Sequence, residues 1–276
     1  MRISVFILLI LFVFDGFGQS TNTIYLWPGN VPGQTAPKHK PVLTDNQSGN
    51  VTRITDITNP AIVVFNPSKS NAKNLSVVVC PGGAYKYLGI DKEGYEVAQW
   101  LNSFGVTAYV LQYRVPDNQV GALQDVQRAL RIVRNIDSSQ VVGVMGFSAG
   151  GSLSAKAATL FYADSYSPVD ELDSLSCRPD FAALIYPAYL DLGENRSLTP
   201  ELTITGETPP FFIFGTADDT YGNSSLVMAT VLRDKKIPVE MHFLAKGGHG
   251  YGLRKGNVAA EAWPRFFQQW LNFQKE

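Results

Sequence analysis

The chain has 276 residues, of which 45% are hydrophobic and 17% are charged, and its formal net charge is −1. This composition is that of a globular protein with enough residues for one α/β domain and a substantial core. A net charge this close to zero excludes the electrostatic signature of a protein that binds nucleic acid or an anionic membrane, and it favours a neutral ligand.

The first residues have the layout of a secretory signal peptide. Arg2 precedes an apolar run from Ile3 to Phe14, and Gly16 and Gly18 are small residues at the −3 and −1 positions of a cleavage site. The run has about 12 residues, whereas about 20 are needed to span a bilayer. We therefore expect residues 1–18 to be removed and the mature protein to be secreted or periplasmic. An uncleaved membrane anchor is the alternative.

Residues 19–50 are rich in proline, glycine, asparagine and threonine, and they predict an extended arm that lies over the domain. With this arm, residues 19–276 are predicted to form a single domain. Two edge strands are expected next, around Val51–Ile57 and Ala61–Phe65, because Asn59 and Pro60 separate two apolar runs.

From residue 75 onward, predicted strands alternate with amphipathic helices, so the sequence predicts a mostly parallel sheet with helices on both faces. The predicted strands are Leu75–Cys80, Val106–Leu111, a run that begins at Val141, Phe181–Tyr186, Phe211–Gly215 and Val239–Leu244. The apolar positions of the predicted helices include Val97, Ala98, Leu101, then Leu123, Val126, Leu130, Val133, and finally Phe266, Phe267, Trp270 and Leu271.

Two further features concern the surface. Arg128, Arg131 and Arg134 recur every three residues on the outer side of the second predicted helix, and we expect them to form a solvated stripe. The long irregular stretches 163–180 and 187–209 are expected to form a small lid.

The segment Gly146-Phe147-Ser148-Ala149-Gly150 matches the Gly-x-Ser-x-Gly turn that joins a buried strand to a helix. Such a turn presents Ser148 in a strained conformation with positive φ, and it brings Gly146 and Gly150 too close together for side chains. The following helix directs its free N–H groups towards negative charge that develops beside the serine. A plain turn with a surface serine is the alternative.

A serine hydroxyl needs a base to become a nucleophile, and the sequence has three histidines. His39 lies in the arm, and His242 lies inside a predicted strand, where a structural role is expected. His249 follows the last predicted strand and has four glycines around it, from Gly247 to Gly252. A glycine-rich loop of this kind can deliver an imidazole to a set point at the edge of the sheet, so His249 is the candidate base.

The imidazole in turn needs a carboxylate that fixes its tautomer. Asp218 and Asp219 both follow the predicted strand that ends at Gly215. We predict Asp218, which lies three residues after that strand, and we expect Asp219 to point elsewhere or to cap the next helix. The order Ser148, Asp218, His249 along the chain is that of the α/β-hydrolase fold.

Backbone N–H groups of Gly83, Ala84 and Ala149 are the candidates for an oxyanion hole, because Pro81-Gly82-Gly83-Ala84 follows an early predicted strand. No cofactor and no metal site are predicted, since the sequence has no cluster of histidines and cysteines with ligand spacing. Cys80 and Cys177, the two cysteines, are expected to be unpaired and buried.

These motifs together resemble the α/β-hydrolase superfamily over residues 50–276. The segments Cys80–Tyr85, Gly146–Gly151, Arg178–Phe181 and Gly247–Gly250, with Trp27-Pro28-Gly29 in the arm, resemble secreted bacterial carbohydrate esterases of the acetylxylan-esterase and feruloyl-esterase-like type. Pro81 and Ala84 depart from the His-Gly-Gly-Gly loop of lipases and esterases, a difference that concerns the oxyanion geometry.

The resemblance implies that Ser148 attacks an ester carbonyl while His249 removes its proton, and that water later releases the acid from an acyl-enzyme. It implies acetyl groups on a plant polysaccharide such as xylan as the substrate. Candidate residues for a sugar-binding rim follow predicted strand ends, although ordinary loop packing is the alternative for each; they are Tyr85, Tyr189, Tyr221 and Tyr251.

Other activities remain open on the sequence alone. A feruloyl esterase or a small-ester carboxylesterase would use the same residues. A serine peptidase of the prolyl-oligopeptidase type shares the layout but usually carries a propeller domain, for which this chain has no room. A catalytically silent carbohydrate-binding protein on the same fold would not require Ser148, Asp218 and His249.

Overall fold

A computed structural model describes residues 22–46, 48–136, 141–163 and 165–273 of the chain. The predicted signal peptide, residues 1–18, lies outside these residues. Among the helices in the described ranges, none combines the length and the hydropathy that are needed to cross a bilayer.

The strands and helices of the described residues alternate along most of the chain. The strands are β1 (Asn22–Tyr25), β2 (Val42–Leu43), β3 (Arg53–Thr55), β4 (Ala61–Phe65), β5 (Leu75–Cys80), β6 (Leu88–Gly89), β7 (Thr107–Gln112), β8 (Val141–Phe147), β9 (Phe181–Ile185), β10 (Phe211–Thr216) and β11 (Val239–Leu244). The helices are a π-helix at Asp91–Tyr95, α1 (Glu96–Ser103), α2 (Gln119–Ile136), α3 (Ala149–Thr159), α4 (Gly222–Asp234) and α5 (Val258–Phe273).

Eight of the described strands form the central sheet, in the order β1-β4-β7-β5-β8-β9-β10-β11. The strands from β7 to β11 in this order run parallel, whereas β1 and β4 are antiparallel to their neighbours. A smaller antiparallel sheet joins β2, β3 and β6. The predicted mostly parallel sheet is therefore confirmed. Its central strands are buried on both faces, which is why they are continuous apolar runs in the sequence.

Helices cover both faces of the sheet. On β8, a Cβ at Gly146 would approach the Ser154 hydroxyl of α3, while the ring of the next residue, Phe147, packs against Trp263 of α5. Successive residues of a strand point to opposite faces, so α3 and α5 lie on opposite sides of the sheet. Helix α1 lies on the side of α5, because Trp100 packs edge-on against Trp263 at 4.9 Å.

The two predicted edge strands adopt different positions. Ala61–Phe65 forms β4 with its predicted bounds, but it is not an edge strand, because it pairs with both β1 and β7 and every residue in it is buried. The arm supplies β1 as the outer strand in its place. Val51–Ile57 is reduced to β3, the middle strand of the small sheet.

The expectation of a solvated arginine stripe on α2 is wrong. The Arg128 side chain is only 2% exposed, and it forms ion pairs with Asp170 and with Asp173, the latter at 2.9 Å. Arg131 donates to the backbone oxygen of Leu175 at 3.0 Å. The segment after α3 folds back along α2 and supplies acceptors for these guanidinium groups, a long-range contact that helical periodicity cannot reveal.

Candidate active site

Ser148 occupies the sharp turn between β8 and α3. Its backbone has φ 53° and ψ −118°, a strained conformation for a residue with a side chain. A Cβ at Gly146 would lie 2.0 Å from the backbone oxygen of Gly150, and a Cβ at Gly150 would lie 2.0 Å from that of Cys80. Because no side chain fits at either position, the two glycines are required by the turn, as the sequence predicted.

His249 is carried by the glycine-rich loop that follows β11. Gly248 and Gly250 on either side of it have φ values of 64° and 68°, which glycine adopts without steric cost. The loop places Nε2 of His249 2.7 Å from Oγ of Ser148. The structure therefore brings together two side chains that are 101 residues apart in the sequence.

The carboxylate beside the imidazole belongs to Asp219, and the prediction of Asp218 is corrected. Oδ2 of Asp219 lies 2.8 Å from Nδ1 of His249. Asp218 instead accepts hydrogen bonds from the backbone N–H groups of Gly248 at 2.8 Å and Gly247 at 3.2 Å. The predicted strand stopped one residue too early: β10 ends at Thr216 and not at Gly215, so the third residue beyond it is Asp219.

The surroundings of Asp219 favour its role as an orienting group. Its side chain is 0% exposed, and its second oxygen, Oδ1, accepts from the backbone N–H of Tyr221 at 2.9 Å. A buried acceptor at this distance fixes the proton of His249 on Nδ1, which leaves the lone pair of Nε2 directed at Ser148. Asp218 is exposed, and the two loop N–H groups hold the pKa of its carboxyl below the usual value.

The predicted oxyanion donors lie around the cleft that contains Ser148 and His249. Gly83, Ala84 and Ser148 all line it, and Ala149 begins helix α3 beside it. Within the described residues, the backbone N–H groups of Gly83, Ala84 and Ala149 have no hydrogen-bond partner. Gly83 has φ 142°, and a Cβ there would lie 1.9 Å from the backbone oxygen of Tyr87, so only glycine fits. These donors are thus available to a ligand.

A buried carboxylate in the wall of the cleft, that of Glu93, was not among the predicted site residues. Its Oε2 accepts from the backbone N–H of Gly82 at 2.7 Å, and its Oε1 accepts from the hydroxyl of Tyr186 at 2.9 Å. The same hydroxyl accepts from the backbone N–H of Gly252 at 3.0 Å. This chain of hydrogen bonds joins the loop after β5 to the loop that carries His249.

The sequence neighbours of Glu93 explain why it was not predicted as a site residue, and its burial changes the pKa of its carboxyl. In the sequence it stands beside charged residues of a helix start, a pattern typical of solvent exposure. In the structure only 6% of the residue is exposed. Burial raises the pKa of its carboxyl, while the hydrogen bonds from Tyr186 and Gly82 act in the opposite direction. The residue lies in a π-helix, a feature frequent at functional sites.

The structure places two of the four tyrosines of the predicted rim at the cleft. Tyr189 and Tyr221 line the cleft with Ser148, and their rings are 5.5 Å apart. Tyr85 and Tyr251 are buried, at 3% and 5% exposure, and do not line this cleft. Tyr85 packs behind Tyr189, and Tyr251 packs against Tyr186. Tyr87 lines the cleft and was not predicted.

The cleft has a volume of about 240 Å³, below the roughly 300–1,000 Å³ of typical ligand pockets. Of the two stretches expected to form a lid, only 187–209 contributes to the described lining, through Tyr189. The stretch 163–180 was wrongly assigned to the lid, because its described part is held against α2 by the arginine contacts. The site is therefore small and open.

The remaining histidines and the cysteines lie apart from this cleft. The imidazole of His242 stacks on Phe266 at 4.0 Å and contacts Glu240, which is a structural role, as predicted. His39 contacts the backbone oxygen of Lys40 in the arm. Cys80 and Cys177 are buried and are not joined to each other by a disulfide, as predicted, and burial raises the pKa of the Cys80 thiol to about 12.

A serine on a strand-to-helix turn, an aspartate after a later strand and a histidine after the last strand meet at the carboxyl edge of the sheet. This combination of fold and site is that of the α/β-hydrolases, and the chain has the α/β-hydrolase fold. No family model matches the chain.

Comparison with curated proteins found relatives of part of the chain. The chain is 37% identical over 134 residues to an acetylxylan esterase from Xylanibacter ruminicola, a match that covers 46% of this chain and 25% of that protein. It is 32% identical over 212 residues to endo-1,4-beta-xylanase B from Butyrivibrio fibrisolvens, covering 65% of this chain and 33% of that protein. The chain thus spans a quarter to a third of the length of these curated relatives.

A solved structure extends the comparison to most of the fold. The chain is similar to an acetyl ester-xyloside bifunctional hydrolase from Caldicellulosiruptor lactoaceticus, with a TM-score of 0.73 and 28% identity. The similarity covers 91% of this chain and 96% of that one. The predicted resemblance to acetylxylan-esterase-like α/β-hydrolases is therefore confirmed.

Proposed function

We propose that this chain is a serine carboxylic-ester hydrolase that removes acetyl groups from a plant polysaccharide such as xylan. The observation that supports this best is the unbroken hydrogen-bonded sequence from Asp219 to His249 to Ser148, with distances of 2.8 and 2.7 Å. A nucleophile, a base and a group that orients the base are the parts needed for acyl transfer.

In the first half of the reaction, Oγ of Ser148 forms a bond to the carbonyl carbon of the ester while its proton moves to Nε2 of His249. The carbonyl oxygen becomes an oxyanion, and the N–H groups of Gly83, Ala84 and Ala149 are our candidates to stabilise it. One such donor is typically worth about 10²–10³ in rate. The tetrahedral carbon then expels the sugar alkoxide, which takes the proton from His249 and leaves as the alcohol.

In the second half, a water molecule attacks the acetyl group on Ser148 while His249 accepts a proton from that water. The second tetrahedral intermediate expels Oγ, which recovers the proton from His249, and acetic acid leaves. The buried carboxylate of Asp219 stabilises the imidazolium in both halves without becoming protonated. Proton transfer by a positioned base contributes about 10²–10⁴.

The assignment of the substrate depends on the small cleft and on the named relatives. A cleft of about 240 Å³ suits an acetyl group and a sugar better than a long acyl chain. Two proteins to which the chain is similar are named for acetyl ester or acetylxylan hydrolysis. A feruloyl esterase or small-ester carboxylesterase is the second candidate, because the same three residues would serve it.

We also propose that residues 1–18 direct export and that residues 19–276 fold as one domain. The support is the charged, apolar and small-residue pattern of the first 18 residues. N-terminal sequencing of protein recovered outside the cytoplasm should begin at Gln19. Recovery of the intact N-terminus in a membrane fraction would replace this proposal with an uncleaved anchor.

The experiment that tests the catalytic proposal replaces the nucleophile. We expect Ser148→Ala to lower kcat for 4-nitrophenyl acetate by at least about 10⁴-fold, with little change in Tm. Ser68→Ala, at an exposed loop residue, is the matched control and should keep full activity. Release of acetate and of ferulate from plant cell-wall polysaccharide then separates the two candidate substrates. Turnover close to wild type in Ser148→Ala would end the assignment.

A further inference from the structure

One wall of the cleft carries positive charge that catalysis does not require. Lys92, in the π-helix, and Arg53, in β3, both line the cleft that contains Ser148 and His249. The ammonium group of Lys92 has no hydrogen bond or ion pair with any residue in the described part of the chain. An uncommitted, half-buried cation beside a nucleophile is a candidate ligand group.

The acidic neighbours of Lys92 are engaged elsewhere. Nη2 of Arg254 lies 3.1 Å from Asp91 and 2.7 Å from Glu96, so these two carboxylates already have a cationic partner. Glu93 is the acidic residue among those that line the cleft, and both of its oxygens accept hydrogen bonds. In the described residues none of these carboxylates forms an ion pair with Lys92, although all three raise the pKa of its ammonium group. The ammonium group therefore remains available to a ligand.

Arg53 adds a second positive charge that is held in place. Its Nη1 donates to the backbone oxygens of Ser48 at 2.9 Å and Val51 at 3.1 Å. Its guanidinium lies over the ring of Tyr87, 5.4 Å from the centroid. Such anchoring removes the entropy cost of ordering the side chain when an anion binds.

The side chain of Lys92 is also partly removed from solvent. Its stem packs beside the His249 loop, since a Cβ at Gly252 would lie 3.0 Å from Cγ of Lys92. Burial lowers the pKa of this ammonium group, although the nearby carboxylates oppose the effect. A bound carboxylate would compensate the charge in this partly desolvated position.

We infer that Lys92, assisted by the fixed charge of Arg53, forms a subsite for a carboxylate on the acylated glycan, as in a uronic acid substituent near the acetyl ester. This inference rests on the proposed esterase function and specifies its substrate further. The local charge of the cleft, and not the near-zero net charge of the chain, selects the ligand. One charge-assisted hydrogen bond to a carboxylate is sufficient to make the enzyme prefer an acidic glycan over a neutral one.

The test compares two acetylated xylo-oligosaccharides that differ only by one uronic acid substituent. We expect wild-type kcat/KM to be about tenfold higher for the acidic one at low salt, with the preference decreasing as ionic strength rises. In Lys92→Met this ratio should fall to about one, whereas Lys92→Arg should retain most of it. Lys235→Met, at an exposed lysine of α4's C-terminal end, is the control and should leave the ratio unchanged.

Binding without turnover keeps the two proposals separable. Calorimetric titration of Ser148→Ala with the same two oligosaccharides should show the same preference for the acidic one, and Lys92→Met in that background should remove it. Hydrolysis of both substrates with equal kcat/KM, or an equal loss for both in Lys92→Met, would overturn the subsite and leave the esterase function standing. Failure to hydrolyse either substrate, with the binding preference intact, would overturn the esterase function alone.

Discussion

Oδ2 of Asp219 lies 2.8 Å from Nδ1 of His249, and its chain neighbour Asp218 holds the loop that carries this histidine. Two adjacent carboxylates thus have separate tasks. The buried one contacts the imidazole directly, whereas the exposed one binds the backbone N–H groups of Gly247 and Gly248. Their mutational effects should differ accordingly.

We predict that Asp219→Asn lowers kcat for 4-nitrophenyl acetate by about 10³–10⁴-fold, because an amide no longer holds the imidazole in the productive tautomer. Asp218→Asn should cost roughly tenfold or less, since it weakens hydrogen bonds that position the loop. Steady-state kinetics of the two variants checks this order. The reverse order would return the orienting role to Asp218.

Glu93 predicts a specific dependence of stability on pH. Burial raises the pKa of its carboxyl in the folded protein above the ordinary glutamate value of 4.5, so the folded state binds more protons than the unfolded state above that pH. The free energy of unfolding therefore falls as pH rises from about 4.5 through the folded pKa. In Glu93→Gln, this contribution to the fall in the free energy of unfolding should be absent. Urea unfolding of the variant and the wild type, measured across that pH range, checks this.

One control and one further readout make the Glu93 measurement specific. Glu207→Gln changes an exposed carboxylate and should leave the pH profile as in wild type. Glu93→Gln should also lower kcat/KM, because an amide group cannot accept from both Gly82 and Tyr186 in the way a carboxylate does. Identical pH profiles for Glu93→Gln and wild type would contradict the assigned pKa direction.

Arg128 should be important for stability. Its side chain is 2% exposed and pairs with Asp170 and Asp173, and Nε also donates to the backbone oxygen of Leu26 in the arm. We predict that Arg128→Met lowers the free energy of unfolding by about 3–5 kcal/mol, because it leaves carboxylates without their partner. Arg233→Met, which breaks an exposed pair with Asp234, should cost less than about 1 kcal/mol. Urea denaturation compares the two variants, and equal costs would contradict the structural role of Arg128.

The small cleft predicts a preference for short acyl groups. We expect kcat/KM for 4-nitrophenyl acetate to exceed that for 4-nitrophenyl octanoate by roughly tenfold or more, because the cleft of about 240 Å³ does not accommodate eight carbons beside the leaving group. Parallel assays with the two esters measure the ratio. A higher value for the octanoyl ester would mean that a larger acyl site opens in solution.

Several features of this protein were readable from residue identity alone, since they depend on what the local backbone can accommodate. The glycines at 146 and 150 are required by a turn too tight for side chains, and those around His249 by positive φ values. The strands near the centre of the sheet appear as continuous apolar runs because both of their faces are buried. The turn that carries Ser148, the glycine-rich loop that carries His249 and the alternation of strands and helices therefore followed from the sequence.

The choice of Asp219 over Asp218, the burial of Glu93 and the ion pairs of Arg128 were decided by tertiary structure. One residue in the length of β10 determines which aspartate faces the imidazole. Glu93 reaches Tyr186 across 93 residues, and Arg128 reaches Asp170 across 42. A local sequence pattern predicts solvent exposure for charged residues at helical positions, whether or not they are buried. Only the folding of distant segments onto one another determines which of them lose water and gain a partner.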